Sequence, residues 1–156
     1  MSIYEHYCKS YKVSTDSRNI EPASVFFALK GERFDGNDFA IEVAEAGVAS
    51  LVVADRQTLP DHPRIVKVDD TLKALQDLAS YHRQQMHNLK VLSITGTNGK
   101  TTTKELVSAV LSRKYNTIYT QGNFNNHIGV PLTLLRITPD TKSCKERIFF
   151  SGVRYK

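Results

Sequence analysis

A strand that runs into a glycine-bearing turn and out into a helix leaves a chain few folds to choose from. This chain carries such a run in Val91-Leu92-Ser93-Ile94-Thr95-Gly96-Thr97-Asn98-Gly99-Lys100-Thr101-Thr102-Thr103. The apolar stretch 91–95 reads as a buried strand, and the pattern from about Lys100 to Arg113 reads as a helix. Gly96 and Gly99 permit backbone conformations that a side chain would block, so amide N–H groups can turn inward. The opening helix adds its first-turn N–H groups and the positive end of its dipole. Together these are the parts of a phosphate-binding loop. In this reading Thr95, Gly96, Thr97, Asn98, Gly99, Lys100, Thr101 and Thr102 surround the phosphates of ATP. Lys100 reaches the β- and γ-phosphate oxygens and the Thr101 hydroxyl ligates Mg²⁺, which makes these two the candidate catalytic residues. One departure stands out. The general pattern G-x-x-x-x-G-K-[ST] places glycine at position 94, where this chain has Ile94, so the strand runs closer to the turn.

Upstream of that turn, short β-rich runs alternate with helical stretches, the mark of an α/β protein. Strands are expected at residues 24–29, 50–54 and 64–68. A helix is expected at 38–46, where Phe39, Val43 and Ala46 recur at helical spacing and Gly47 supplies the stop. A longer helix should run to about Met86, capped by Asp69 or Asp70, with Leu72, Leu75, Leu78, Ala79 and Tyr81 as its apolar stripe. The polar break at His87-Asn88 marks a domain boundary, giving domains at 1–88 and 89–141. Beyond the phosphate loop, residues 117–120 read as a strand, 123–129 as a polar loop and 132–135 as a helix.

Charge narrows the functional classes. The chain of 156 residues carries a formal net charge of +5, which raises the question of nucleic acid. Nearly all of that excess sits after residue 141, in Lys142, Lys145, Arg147, Arg154 and Lys156 against Glu146 alone. The remainder holds no basic run with interleaved aromatics, so no nucleic-acid partner is expected. The two cysteines, Cys8 and Cys144, form no metal or disulfide spacing. No signal pattern opens the sequence and no apolar run is long enough to span a bilayer. A cytoplasmic chain without membrane insertion is expected.

The turn G-T-N-G-K-T-T resembles the ATP loop of the Mur ligase family, to which folylpolyglutamate synthases and cyanophycin synthetase are similar at this loop. Two other segments choose among them. Ser14-Thr15-Asp16-Ser17-Arg18, followed by Val25-Phe26-Phe27-Ala28-Leu29-Lys30-Gly31 and Phe34-Asp35-Gly36-Asn37-Asp38-Phe39, resembles the UDP-binding domain of the two later-acting Mur ligases. On its residues alone Asp16-Ser17-Arg18 reads as a capped turn with a surface ion pair. The resemblance gives Ser17, Arg18, Lys30 and Gly31 to a UDP-linked precursor, with Arg18 as a planar fork for phosphate. The second segment, Gly122-Asn123-Phe124-Asn125-Asn126-His127-Ile128-Gly129-Val130-Pro131-Leu132-Thr133-Leu134-Leu135, resembles the motif of the family members that add D-Ala-D-Ala. There Asn123, Asn125 and Asn126 would meet the sugar and peptide amides of the substrate. His127 reads as a packed or surface histidine.

The resemblance covers about residues 14–141. It implies a small N-terminal UDP-binding α/β domain followed by a truncated P-loop ATPase domain with a mainly parallel sheet. It also implies ATP- and Mg²⁺-dependent joining of D-Ala-D-Ala to UDP-MurNAc-tripeptide through an acyl phosphate, an amide-bond-forming ligase reaction of peptidoglycan synthesis. Complete members are roughly three times longer. Residues 142–156 read as an atypical basic tail, out of frame or at the end of a truncated gene. Glu146 sits between Lys145 and Arg147, so the family's metal-binding glutamate is not assigned to it. This chain alone is expected to be inactive. Two alternatives stay open: a non-catalytic fragment that binds a UDP-sugar or nucleotide, and a P-loop ligase of the folylpolyglutamate-synthase type.

Overall fold

The computed structural model describes residues 1–87, 89–94, 98–120 and 126–138, and the backbone of 147–152. The chain divides into two compact units, Met1–Leu78 and Ala79–Lys156.

In the first unit four short strands, β1 (Val13–Ser14), β2 (Val25–Phe27), β3 (Leu51–Ala54) and β4 (Ile65–Lys67), form one parallel sheet in the order β1-β2-β3-β4. Parallel strands are covered on both faces, which is why β2 and β3 are apolar at every position instead of alternating. Every residue of the two is buried. A 3-10 turn (Gly36–Phe39) leads into helix α2 (Ala40–Ala46), where the sequence pattern suggested one continuous helix. The Asp35 side chain accepts from the Asn37 N–H and sets that tighter opening. Ala40, Val43 and Ala44 of α2 pack on Phe26, Val52 and Ala54 of the sheet region. Helix α2 stops at Gly47, in the left-handed region, and the Arg64 guanidinium donates to the Ala44 carbonyl near that end at 3.2 Å.

The N-terminal helix α1 (Ile3–Cys8) was not foreseen. A reciprocal box closes it: the Glu5 N–H donates to Ser2 Oγ and the Ser2 N–H to the Glu5 carboxylate. Its Tyr7 is fully buried, in edge contact with the Tyr11 ring at 5.3 Å. Helix α3 (Thr71–Gln85) begins as expected, with Asp70 accepting from the Lys73 N–H at 2.8 Å.

The second unit holds a parallel sheet in the order β5-β7-β6: β5 (Leu89–Ile94), β7 (Arg147–Gly152) and β6 (Asn116–Tyr119). Helix α4 (Lys100–Leu111) links β5 to β6, and α5 (Gly129–Leu134) follows. Two expectations are corrected. Strand β5 starts two residues earlier than read and is not buried throughout, with Val91 38% and Leu92 40% exposed. Among the described residues β5 pairs with β7 alone, at an edge of this sheet. Residues 147–152, inside the stretch read as a basic tail, form the central strand. Flanking cations mask the short apolar core Ile148-Phe149-Phe150 in any composition-based reading. The core of this unit gathers Leu89 and Ile137 with Met86, Ile118, Val130 and Leu134. Buried His82 stands against the Ile137 carbonyl, its Nε2 at 2.6 Å.

Candidate functional site

Parallel sheets present ligands at the carboxyl ends of their strands. In the first unit that end carries the residues after β1 and the loop after β2. Two adjoining hollows open there, of about 390 and 380 Å³, and both are lined by Ser17, Arg18 and Phe39. Phe34 and Gly36 complete the larger one. Phe34 is 59% and Phe39 41% exposed, so two aromatic rings stand at the surface beside a guanidinium. Such a cleft suits a flat ring and an anionic group together.

The Arg18 fork is already engaged. Its Nε donates to Asp16 Oδ1 at 2.9 Å and its Nη2 to Oδ2 at 2.8 Å, while the backbone N–H of Arg18 donates to Oδ1 at 3.0 Å. These hydrogen bonds hold the Asp16 carboxyl well below the usual range, at about 2. The ion pair read from the residues alone is therefore present, and it presents Arg18 from a fixed turn at the rim of the cleft.

Lys30 and Gly31, expected beside Arg18, line neither hollow. The Lys30 ammonium lies 3.2 Å from Asp55 and 4.0 Å from Asp35. Gly31 lies under Phe34: its N–H donates to the Phe34 carbonyl at 2.9 Å, and a Cβ there would sit 2.5 Å from the Phe34 ring. Gly36 is constrained harder, since a Cβ would meet the backbone of Ala28 and Leu29 at 2.8–2.9 Å. Gly31 and Gly36 therefore both constrain the loop that carries Phe34.

Asn37 holds that loop and was given no role from sequence. It is 1% exposed and uses both ends of its amide. The nitrogen donates to Asp35 at 2.7 Å and Asp55 at 2.9 Å, and the oxygen accepts from the N–H groups of Asp55 and Arg56. Burial pushes Asp35 and Asp55 upward, but hydrogen bonds from Asn37, with Arg56 on Asp35 and Lys30 on Asp55, outweigh it and leave both below the ordinary range. The available signal was an asparagine set between Gly36 and Asp38 in a short loop of small and acidic residues.

In the second unit Gly99 adopts φ +75°, ψ −2°, the left-handed conformation, and α4 opens directly after it with Lys100. Its N-cap residue, Gly99, has no side chain to cap the helix, and the first turn holds no acid. Thr101 and Thr102 are exposed and Lys100 is half-buried, so these three share one accessible helix start with Asn98. Thr95, Gly96 and Thr97 lie outside the described residues, as do Asn123 and Asn125. Asn126 is described: its Oδ1 accepts from the Gly129 N–H at 2.7 Å and the Ile128 N–H at 3.2 Å, so it caps the start of α5. Lys104, one turn into α4, was also passed over in the sequence. It is 3% exposed and donates to the Thr120 carbonyl. Its signal was a second lysine four residues after the loop lysine.

Comparison with known proteins bears on both units. Residues 9–88 match the family model described as Mur ligase family, catalytic domain, and residues 94–144 match Mur ligase middle domain. The UDP-N-acetylmuramoyl-tripeptide--D-alanyl-D-alanine ligase of Bacillus subtilis (strain 168) is 48% identical over 132 residues, covering 83% of this chain and 28% of that protein. Among solved structures, MurF from Acinetobacter baumannii superposes with a TM-score of 0.76 at 38% identity, over 91% of this chain and 30% of that one. The MurF ligase from Thermotoga maritima in complex with ADP gives 0.76 at 29% identity, over 97% and 33%. The chain thus spans about 28% of the length of the curated relatives it matches.

Proposed function

The chain belongs to the Mur ligase family, and from that premise we propose that it binds UDP-MurNAc-tripeptide in its first unit and ATP in its second. A polypeptide of the relatives' full length would join D-Ala-D-Ala to that precursor. The observation that carries the nucleotide half is the left-handed Gly99 opening α4 with Lys100 and Thr101 in its first turn. The cleft between Arg18, Phe34 and Phe39 supports the precursor half. In this reading residues 1–88 are the precursor domain, 89–141 begin the ATPase domain, and the reaction is a cytoplasmic step of peptidoglycan synthesis.

Arg18 and Ser17 hold the pyrophosphate, and the two phenylalanine rings offer faces to the uridine. Lys100 and the first-turn N–H groups of α4 hold the β- and γ-phosphates, with residues 95–98 around them. In a polypeptide of the relatives' full length the precursor carboxylate would take the γ-phosphoryl group of ATP, releasing ADP, and the amine of D-Ala-D-Ala would then displace phosphate from the acyl phosphate, with positioning supplying much of the rate. Thr101 suits Mg²⁺ in the chemistry of its donor, a hydroxyl oxygen exposed beside Lys100. Phosphate and water would supply the other oxygens around such an ion, which would neutralise phosphate charge. Asn123, Asn125 and Asn126 face the substrate's amides in this proposal, Asn126 while capping α5.

Calorimetric titrations test the division of labour. Arg18→Ala should weaken UDP-MurNAc-tripeptide and leave ATP unchanged, and Lys100→Ala should do the reverse. Either variant weakening both ligands equally, or neither ligand, would contradict the assignment.

A further inference from the structure

Lys104 is the only buried lysine or arginine among the described residues. It stands one turn beyond Lys100 on the same face of α4, about 6 Å along the axis. Its ammonium donates to the carbonyl of Thr120, itself 1% exposed, and lies 5.7 Å from the Tyr119 ring centroid and 3.4 Å from Glu105 Oε1. Register fixes where this anchor falls. Tyr119 pairs with Phe150 and Phe150 with Leu92, so Thr120 follows the level of Leu92, near the end of β5 at Ile94. Lys104 thus ties α4 to the end of the sheet from which the phosphate turn departs.

Packing alone does not call for a cation here, since an apolar side chain fills space without dehydrating an ammonium. The charge pattern points the same way. Two lysines at i and i+4 repel each other, and the positive end of the helix dipole adds to them, with no acid in the first turn. Half-exposed Glu105 answers one of these charges.

We propose that Lys104 is a positioning residue of the nucleotide site: it pins α4 to the end of β6 and adds a second positive charge behind Lys100, fixing where the terminal phosphate of a bound diphosphate sits. This rests on the nucleotide-binding reading given above.

The test uses the full chain, titrated with ADP in magnesium-containing buffer, comparing the unsubstituted protein with Lys104→Met and Lys104→Arg. Lys104→Met should weaken ADP by about tenfold, the order expected when a charged partner is lost. It should also move the ³¹P resonance of the bound β-phosphate toward its free position, and Lys104→Arg should recover part of both effects. Lys104→Met that binds ADP with unchanged affinity and an unchanged resonance overturns the proposal and leaves the nucleotide site standing. An unsubstituted chain that does not bind ADP overturns the site and the proposal together. Should the variants not fold, the ¹⁵N resonance of the Lys104 ammonium in the unsubstituted chain decides: it moves when ADP saturates the site, and an unmoved resonance with ADP bound overturns the proposal.

Discussion

Gly36 and Gly99 are both glycines at a candidate site, yet different forces hold them. At Gly36 the obstacle is space, because the backbone of Ala28 and Leu29 leaves a Cβ nowhere to go. At Gly99 space is open, with Thr103 Oγ1 4.0 Å away, and the obstacle is φ +75°. Gly36→Ala should therefore cost about 1–3 kcal/mol through overpacking. Gly99→Ala should cost about 1–2 kcal/mol through the left-handed backbone. Thermal melts measure both costs, and ligand titrations separate them: Gly36→Ala should weaken the UDP precursor, and Gly99→Ala should weaken ADP. Asn37→Ala removes the amide between Asp35, Asp55 and Arg56 and should cost about 1–3 kcal/mol, the range for stranding buried polar partners. Glycines and the loop lysine were legible in the sequence because their chemistry follows from type and spacing. Asn37 and Lys104 were not, since their roles depend on partners 18 and 16 residues away that only folding brings near.

Elements with strong periodicity or a clear cap were read within a few residues, as with α3 behind Asp70 and α4 behind Gly99. Those missed were short, such as α1 and β1, or masked by charge, as β7 was. The contact between α3 and the segment after α5 also escaped the sequence, and it carries a pH dependence. Burial holds His82 below the ordinary histidine value, and the hydrogen bond to Ile137 offsets that only in part. The unfolded chain therefore takes up this proton at a higher pH than the folded one, so stability rises with pH across the window between the two values. Its contribution is complete above about 6.5, the ordinary value, and is lost as pH falls below it. His82→Gln, which keeps a donor for Ile137, should shrink the drop in melting temperature between pH 8 and pH 5.5. An unchanged drop would assign the acid sensitivity to other groups, among them His6, which burial also lowers.

Among the described residues, the two most exposed apolar side chains of the second unit, Leu106 at 65% and Val110 at 70%, stand one turn apart on α4. Two such side chains side by side on one helix face favour association. Leu106→Lys with Val110→Lys should lower the apparent mass of the chain in concentration-dependent light scattering and leave its helix content unchanged. Among the described residues no helix is long and apolar enough to cross a membrane. The claim on which the rest depends is that one cleft in the first unit receives the UDP-linked precursor. Hydrogen exchange of the full chain with and without saturating UDP-MurNAc-tripeptide tests it most directly. The account predicts added protection at residues 15–18 and 34–39. A bound precursor that protects other segments and leaves these two unchanged would contradict it.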